Sequence, residues 1–434
     1  MKKVVSLILV FVLLFSALSQ TVFAVGMKPD IDIYADYVLL VNTDTGKIVY
    51  ENNAYEKTYP ASLTKIMTAI VALENTSNLD AVEVTAPAYI FNEFYGIGVS
   101  NAEIQRGESF SMRELLYALM LNSACEAASI IADHVGDGSI PDFVEMMNKK
   151  AKEIGAVNTN FANPHGLFDE NNYTTAYDMY LIASYALTVP GFLDICSTKN
   201  YTIEASSERT QKNLIHTNKM LFTTNAYYMP EIKGIKTGTL EEAGRCLTTI
   251  AEYNGYNYLC VVMGGKYSDN ASHYKTTQNL YNWAFDNLML KTLLEDTKSV
   301  SEVRVELSNE KEYVLVRPAK KITEMVDANI DPSSVITQLD LPEKVNAPIK
   351  AGDVLGKATV TLMGEEVATV DLVAMHDVKR SGIKYFGFVF KQVMRKPGFI
   401  IGAIVFVALL IFYAMLSVMY NNYKRRHRRY KRYR

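Results

Sequence analysis

Ser62 and Lys65 stand three residues apart in Pro60-Ala61-Ser62-Leu63-Thr64-Lys65-Ile66-Met67-Thr68, and from Ile66 onward the residues are almost all apolar. The pattern predicts a helix, and at this spacing the hydroxyl and the amine lie on one face, one above the other. With no solvent face, the helix reads as buried on all sides. A lysine in such surroundings loses proton affinity. A partly neutral amine beside a serine is a base beside a nucleophile, which is what covalent acyl transfer needs. Pro60 suits a helix start, so the Ser62 hydroxyl is expected near the positive end of the dipole. Alone the pair is a weak signal. Ser-x-x-Lys arises by chance about once or twice in a chain this long, Ser381 and Lys384 repeat it, and Ser62 could be only a cap.

A second motif changes the weight of the first. Lys236-Thr237-Gly238-Thr239 closes a strand-like run from Ile232. Its cation and hydroxyl suit a carboxylate, and its glycine lets a ligand approach the backbone. Active-serine penicilloyl enzymes carry Ser-x-x-Lys, Ser-x-Asn and Lys-Thr-Gly in that order. A literal Ser-Asp-Asn at 268–270 follows Lys-Thr-Gly and is rejected on order. Ser123-Ala124-Cys125 has the right order, with Cys125 where asparagine is expected.

The elements that must hold these residues are legible in outline. Two strands around a turn fill 33–52, and Met112 to Ala132 is helical in two halves with Asn122 to Cys125 between them. Helices are expected from Pro141 to Ile154, over 177–187 and over 273–295 around Trp283, and strands 245–253 and 256–262 flank Asn254-Gly255, a two-residue hairpin turn. Beyond Asp296 short alternating runs predict a small all-β domain.

Both ends carry targeting signals. Lys2 and Lys3 precede an apolar run from Val4 to Leu18, with Val22-Phe23-Ala24 as a cleavage site, which reads as a signal peptide over 1–24. Gly398 to Tyr420 lacks charge and is long enough to span a bilayer, and the 421–434 tail is basic, as expected on the cytoplasmic side. Residues 378–397, basic and aromatic, form a juxtamembrane linker at the lipid surface. Domains are therefore expected over 25–295 and 296–377. Without the two ends the charge is 34 basic against 47 acidic residues, net −13, which argues against nucleic acid as a partner. The four cysteines lack metal spacing and are expected as free buried thiols, and the six histidines form no zinc motif, so no metal or cofactor is expected.

From about residue 30 to 375 the chain resembles the serine-type D-Ala-D-Ala carboxypeptidases among the low-molecular-mass penicillin-binding proteins. The resemblance rests on Val41-Asn42-Thr43-Asp44-Thr45-Gly46, the Tyr59–Thr68 stretch, Asn163-Pro164-His165-Gly166-Leu167, Thr174-Thr175-Ala176-Tyr177-Asp178-Met179, Lys236–Thr239 and Val262-Met263-Gly264-Gly265. It implies an α+β, penicilloyl-serine-transferase or β-lactamase-like catalytic domain, a small β-domain and a membrane anchor. It also implies acylation of Ser62 by a peptidoglycan stem peptide or a β-lactam. Lys65 would be the base and Ser123 the proton relay. Lys236, Thr237 and Gly238 would bind substrate, with Thr239 and Ser62 giving oxyanion N–H groups. Cys125 would weaken the lysine's positioning. The family's carboxylate arginine is not matched after Gly265, where Lys266, His273 and Lys275 stand instead, and Arg245 is read as supporting the sheet. His165 is read as a loop residue and Asp178 as capping or salt-bridging its helix. Competing readings are a β-lactamase, disfavoured by the lack of a Glu-x-x-Leu-Asn pattern, an α/β-hydrolase, disfavoured by the lack of Gly-x-Ser-x-Gly, and a wall-binding scaffold with impaired turnover.

Overall fold

The computed structural model describes residues 29–430 apart from Glu208, and the side chains of Pro332 and of residues 426–430 are not described. The expected signal peptide and the last four residues of the tail lie outside the described residues. The chain divides into two units: the first runs to Lys291 and takes in Met325–Ile330, and the second holds Thr292–Glu324 and everything from Asp331.

The first unit opens with β1 (Ala35–Asn42) and β2 (Lys47–Asn52), then a 3-10 turn over Ala61–Leu63 and helix α1 (Thr64–Asn75). Short strands β3 (Glu83–Thr85) and β4 (Ser109–Ser111) pair ahead of α2 (Met112–Met120) and α3 (Cys125–Val135). Helices α4 (Ile140–Glu153), α5 (Ala176–Ala186) and α6 (Phe192–Ser197) lead to the hairpin β5 (Asn200–Ile203) and β6 (Lys212–Ile215). Then come β7 (Lys236–Leu240), β8 (Gly244–Tyr253), β9 (Tyr256–Gly265) and α7 (Ser272–Asn287).

Five antiparallel strands form one sheet in the order β2-β1-β9-β8-β7, leaving β7 at an edge. Both faces are covered, because successive strand residues point to opposite sides. Leu39, Val41, Leu259 and Val261 pack into a core with α1 to α6, while Val38, Leu40, Tyr258 and Cys260 pack into another with Leu280, Tyr281 and Trp283 of α7. The Asn254-Gly255 hairpin forms as expected, with both residues at positive φ and Tyr253 opposite Tyr256.

Three local boundaries differ from the sequence reading. The α1 helix starts at Thr64, so Ser62 sits in the preceding 3-10 turn rather than in the helix. The strand expected from Ile232 begins only at Lys236, with Ile232 making an isolated bridge to Ala251. The closing helix stops at Asn287, because Leu288–Leu294 is taken up as a strand.

That strand, β10 (Leu288–Leu294), pairs with β13 (Ile322–Asp327) in a two-stranded ribbon. The second unit is the expected all-β domain: β11 (Ser301–Glu306), β12 (Tyr313–Pro318), β14 (Val335–Asp340), β15 (Lys344–Asn346), β16 (Val354–Leu362) and β17 (Glu365–Ala374) form a six-stranded sheet ordered β14-β16-β17-β12-β11-β15. Its core holds Val303, Val314, Val316, Val360 and Leu372. The stretch expected to be juxtamembrane contains helix α8 (Gly382–Met394), and its Ser-x-x-Lys copy is a cap: Ser381 Oγ accepts from Lys384 N at 3.3 Å while Lys384 Nζ donates to Ser308 O. Helix α9 (Pro397–Tyr430) follows, and its Pro397–Arg425 portion is long and apolar enough to cross a membrane.

Candidate active site

Lys65 is fully buried in the first turn of α1, where its Nζ meets three acceptors: Ser62 Oγ at 3.1 Å, Cys125 Sγ at 3.5 Å and the main-chain oxygen of His165. An ammonium has three N–H groups to place, and all three find partners. Burial nonetheless drives the Lys65 pKa down, against the opposing pull of Cys125 and Glu126. A neutral amine here would keep two N–H donors and have a lone pair free for the Ser62 hydroxyl.

The turn that presents Ser62 is held from below by the Asn163–Leu167 loop. Gly166 has φ +81°, and a Cβ there would stand 1.9 Å from Ala61 O, so only glycine permits the approach. The Asn163 side chain closes the loop on itself, accepting from Gly166 N at 2.6 Å and donating to Leu167 O at 3.1 Å. Thr68 Oγ1 donates to Pro164 O at 2.6 Å, tying the loop to the next turn of α1. His165 sits in this loop and brings its main-chain oxygen to Lys65.

Ser123 and Cys125 come from the break between α2 and α3. Ser123 is 4% exposed with φ +59°, a strained conformation for a side chain of its type. The edge strand β7 brings Lys236, Thr237, Gly238 and Thr239 to the other side of the same cleft. A Cβ at Gly238 would lie 3.2 Å from Ser62 N, so the absent side chain lets the serine turn lie against the strand. Lys236 is fully buried, donates to Thr237 O at 3.0 Å, and is pushed well down by burial and by the charge of Lys65. The Thr237 and Thr217 hydroxyls are 2.6 Å apart.

A cleft of about 380 Å³ is lined by Ser62, Ser123, Thr237, Thr239, Arg245 and His273, among others. Every residue expected at the site is thus at or against this cleft; Lys65, Cys125 and Lys236 form its buried base. Arg245 bridges β7 and β8, as expected of a residue that supports the sheet, and it also lines the cleft. Its guanidinium donates to Thr239 Oγ1 at 3.2 Å and to Asn270 Oδ1, and it stands over the Tyr267 ring. The register explains why: Thr239 and Arg245 are opposite one another on β7 and β8. An arginine near the start of the strand that follows the motif after one short turn is the signal that could have found it. Asn270 lines the cleft too, although its Ser-Asp-Asn run is not the middle motif. Of the three other candidates, His273 lines the cleft, Lys275 pairs with Asp269 at 3.0 Å, and Lys266 lines a separate hollow with Glu241 and Tyr37. Thr217 and Tyr274, which bond through Thr217 O at 3.1 Å, carried no motif and were missed.

Asp178 forms no ion pair among the described residues. It is buried and accepts from Asn158 N and Thr159 Oγ1, while Thr175 caps its helix. The four cysteines are all free and buried, as expected.

Residues 23–267 match the family described as D-alanyl-D-alanine carboxypeptidase, and residues 289–380 match the penicillin-binding protein 5 C-terminal domain. D-alanyl-D-alanine carboxypeptidase DacF of Bacillus subtilis is 28% identical over 353 residues, covering 81% of this chain and 88% of the relative. The solved structure of penicillin binding protein 5 from Haemophilus influenzae is 28% identical, covers 82% of this chain and 100% of that one, and superposes with a TM-score of 0.63. The Streptomyces K15 DD-transpeptidase structure is 31% identical, covers 60% of this chain and 99% of that one, with a TM-score of 0.55. The first of these two matches holds Ser62, Ser123, Thr237 and Thr239 of the cleft: the chain belongs to the serine-type D-alanyl-D-alanine carboxypeptidases among the penicillin-binding proteins.

Proposed function

We propose that Ser62 is the nucleophile with which this carboxypeptidase removes the terminal D-Ala from peptidoglycan stem pentapeptides, and that β-lactams acylate the same oxygen. The observation that carries this is the buried Lys65 amine 3.1 Å from Ser62 Oγ, with its proton affinity lowered by burial. Neutral Lys65 takes the Ser62 proton as Oγ bonds to the penultimate D-Ala carbonyl. The backbone N–H groups of Ser62 and Thr239 hold the oxyanion, worth about 3–4 kcal/mol per donor. Ser123, with Lys236 behind it, passes a proton to the departing amine as the C–N bond breaks. Lys236 and Thr237 hold the terminal carboxylate, and Arg245 is the arginine that completes its recognition. Water then releases the tetrapeptide and restores Ser62.

A second reading is that acylation occurs but turnover is slow, leaving a wall-binding scaffold. It is favoured by Cys125, whose thiol is a weak acceptor for Lys65. A dedicated β-lactamase is the less supported third.

The apolar α9 segment and its basic end, with the signal peptide expected from the sequence, support a single-pass protein with both domains outside the cytoplasm and its C-terminus inside. Labelling with fluorescent penicillin tests the acyl-enzyme, with Ser62→Ala as control. Loss of label in the variant is expected, and equal labelling of both would refute Ser62. D-Ala release from a pentapeptide then separates turnover from mere acylation.

A further inference from the structure

The His165 carbonyl is the strongest acceptor available to Lys65 besides the reacting oxygen, since a thiol sulfur accepts weakly. What fixes that carbonyl therefore matters more in this chain than it would beside an asparagine at position 125. The loop's own bonds fix its backbone, and the His165 ring adds a further restraint. Its Nδ1 accepts from Leu167 N at 3.1 Å, so the remaining proton of the neutral ring sits on Nε2. That Nε2 faces Glu93 Oε2 at 3.5 Å, and the Phe94 ring stands edge-on at 5.5 Å between centroids.

Glu93 is not a free surface carboxylate. It follows the 3-10 turn Ala88–Asn92, and its second oxygen accepts from Ser129 Oγ at 2.6 Å. Ser129 is fully buried on α3, four residues beyond Cys125. One carboxylate thus links the helix that carries Cys125 to the ring of the residue whose main-chain carbonyl meets Lys65. No substrate-facing role accounts for it: Glu93 does not line the cleft beside Ser62.

We propose that Glu93 is a positioning residue for the acylation step: it holds the His165 ring, and through it the main-chain oxygen that aims Lys65 at Ser62. This rests on Ser62 and Lys65 acting as nucleophile and base. The carboxylate supplies orientation only and exchanges no proton with substrate. Its contribution is tied to Cys125, because a stronger acceptor at that position would share the task of holding Lys65.

The test is a cycle of full-length variants in detergent, reading the benzylpenicillin acylation rate separately from its prior binding constant. Glu93→Ala is expected to slow acylation about fivefold, in line with the loss of one modest polar contact, with binding unchanged. Glu93→Gln, which keeps an oxygen for Nε2–H, is expected to recover most of that rate. In a Cys125→Asn background the same Glu93→Ala change is expected to cost less than about twofold. An equal loss in both backgrounds, a loss confined to binding, or no loss at all would overturn the proposal. Wild-type protein that takes no Ser62-dependent label would instead refute the reading beneath it. Melting temperatures of the wild type and the four variants distinguish a displaced carbonyl from general loosening, which would lower acylation and stability together and also count against the positioning role.

Discussion

Cys125 Sγ lies 3.5 Å from Lys65 Nζ, in the place where the family's asparagine would offer an amide oxygen. Of the three partners of Lys65 it is the weakest acceptor. Cys125→Asn is therefore expected to raise the penicillin acylation rate, by up to about tenfold for one improved hydrogen bond. Stopped-flow acylation of the full chain measures it, and an unchanged rate would mean that the thiol costs nothing.

Arg245 bonds Thr239 Oγ1 at the open side of the cleft. Arg245→Leu is expected to lower acylation efficiency about 10- to 100-fold for ligands with a free carboxylate, the value of one charge-assisted bond. Peptides ending in a carboxamide should respond equally to both proteins. A loss of the same size with the carboxamide would assign Arg245 a purely structural role.

Acylation is expected to rise with pH as Lys65 loses its proton, and to level off below the ordinary lysine range because burial lowers that pKa. The charge of Glu126 opposes this shift. Glu126→Gln should therefore move the acid limb of the rate profile to lower pH. A limb that stays in place or moves upward would show that Lys65 is not the titrating base.

His216 and His273 are both pushed down to about 3, chiefly by burial. His216 Nδ1 accepts from Asn218 N at 2.9 Å, a bond that only the neutral ring can make. Unfolded chains bind these protons below the ordinary histidine value of 6.5, and the folded protein resists until about 3. Stability present above that window should fall progressively as pH descends through it. Thermal unfolding between pH 7 and 4 measures the slope, and His216→Gln should flatten it; an unaltered slope would exclude this histidine.

Gly166→Ala places a Cβ 1.9 Å from Ala61 O at φ +81°. The variant is expected to lose roughly 2 kcal/mol or more of stability and most of its acylation, because the displaced loop carries the His165 carbonyl away from Lys65. Urea unfolding together with penicillin labelling reads both effects. Full stability in the alanine variant would show that the loop yields without cost.

Much of this site could be read from the chain because its parts are local. Ser62 and Lys65 meet through helical spacing, Lys236 to Thr239 occupy one strand, and Asn254-Gly255 dictates the hairpin that sets strand register. Backbone pairing and side-chain periodicity act over a few residues, so composition and spacing suffice to reveal them. Tertiary structure alone decided the rest. Residues 100 positions apart bring the His165 carbonyl to Lys65, and the path of a loop, set by Gly166 and Asn163, determines where that oxygen points. Arg245 reaches the cleft because hairpin register sets it opposite Thr239, and Glu93 meets His165 and Ser129 only when three separate segments pack together. A main-chain oxygen has no residue type to betray it, so its role becomes visible only once the fold has placed it.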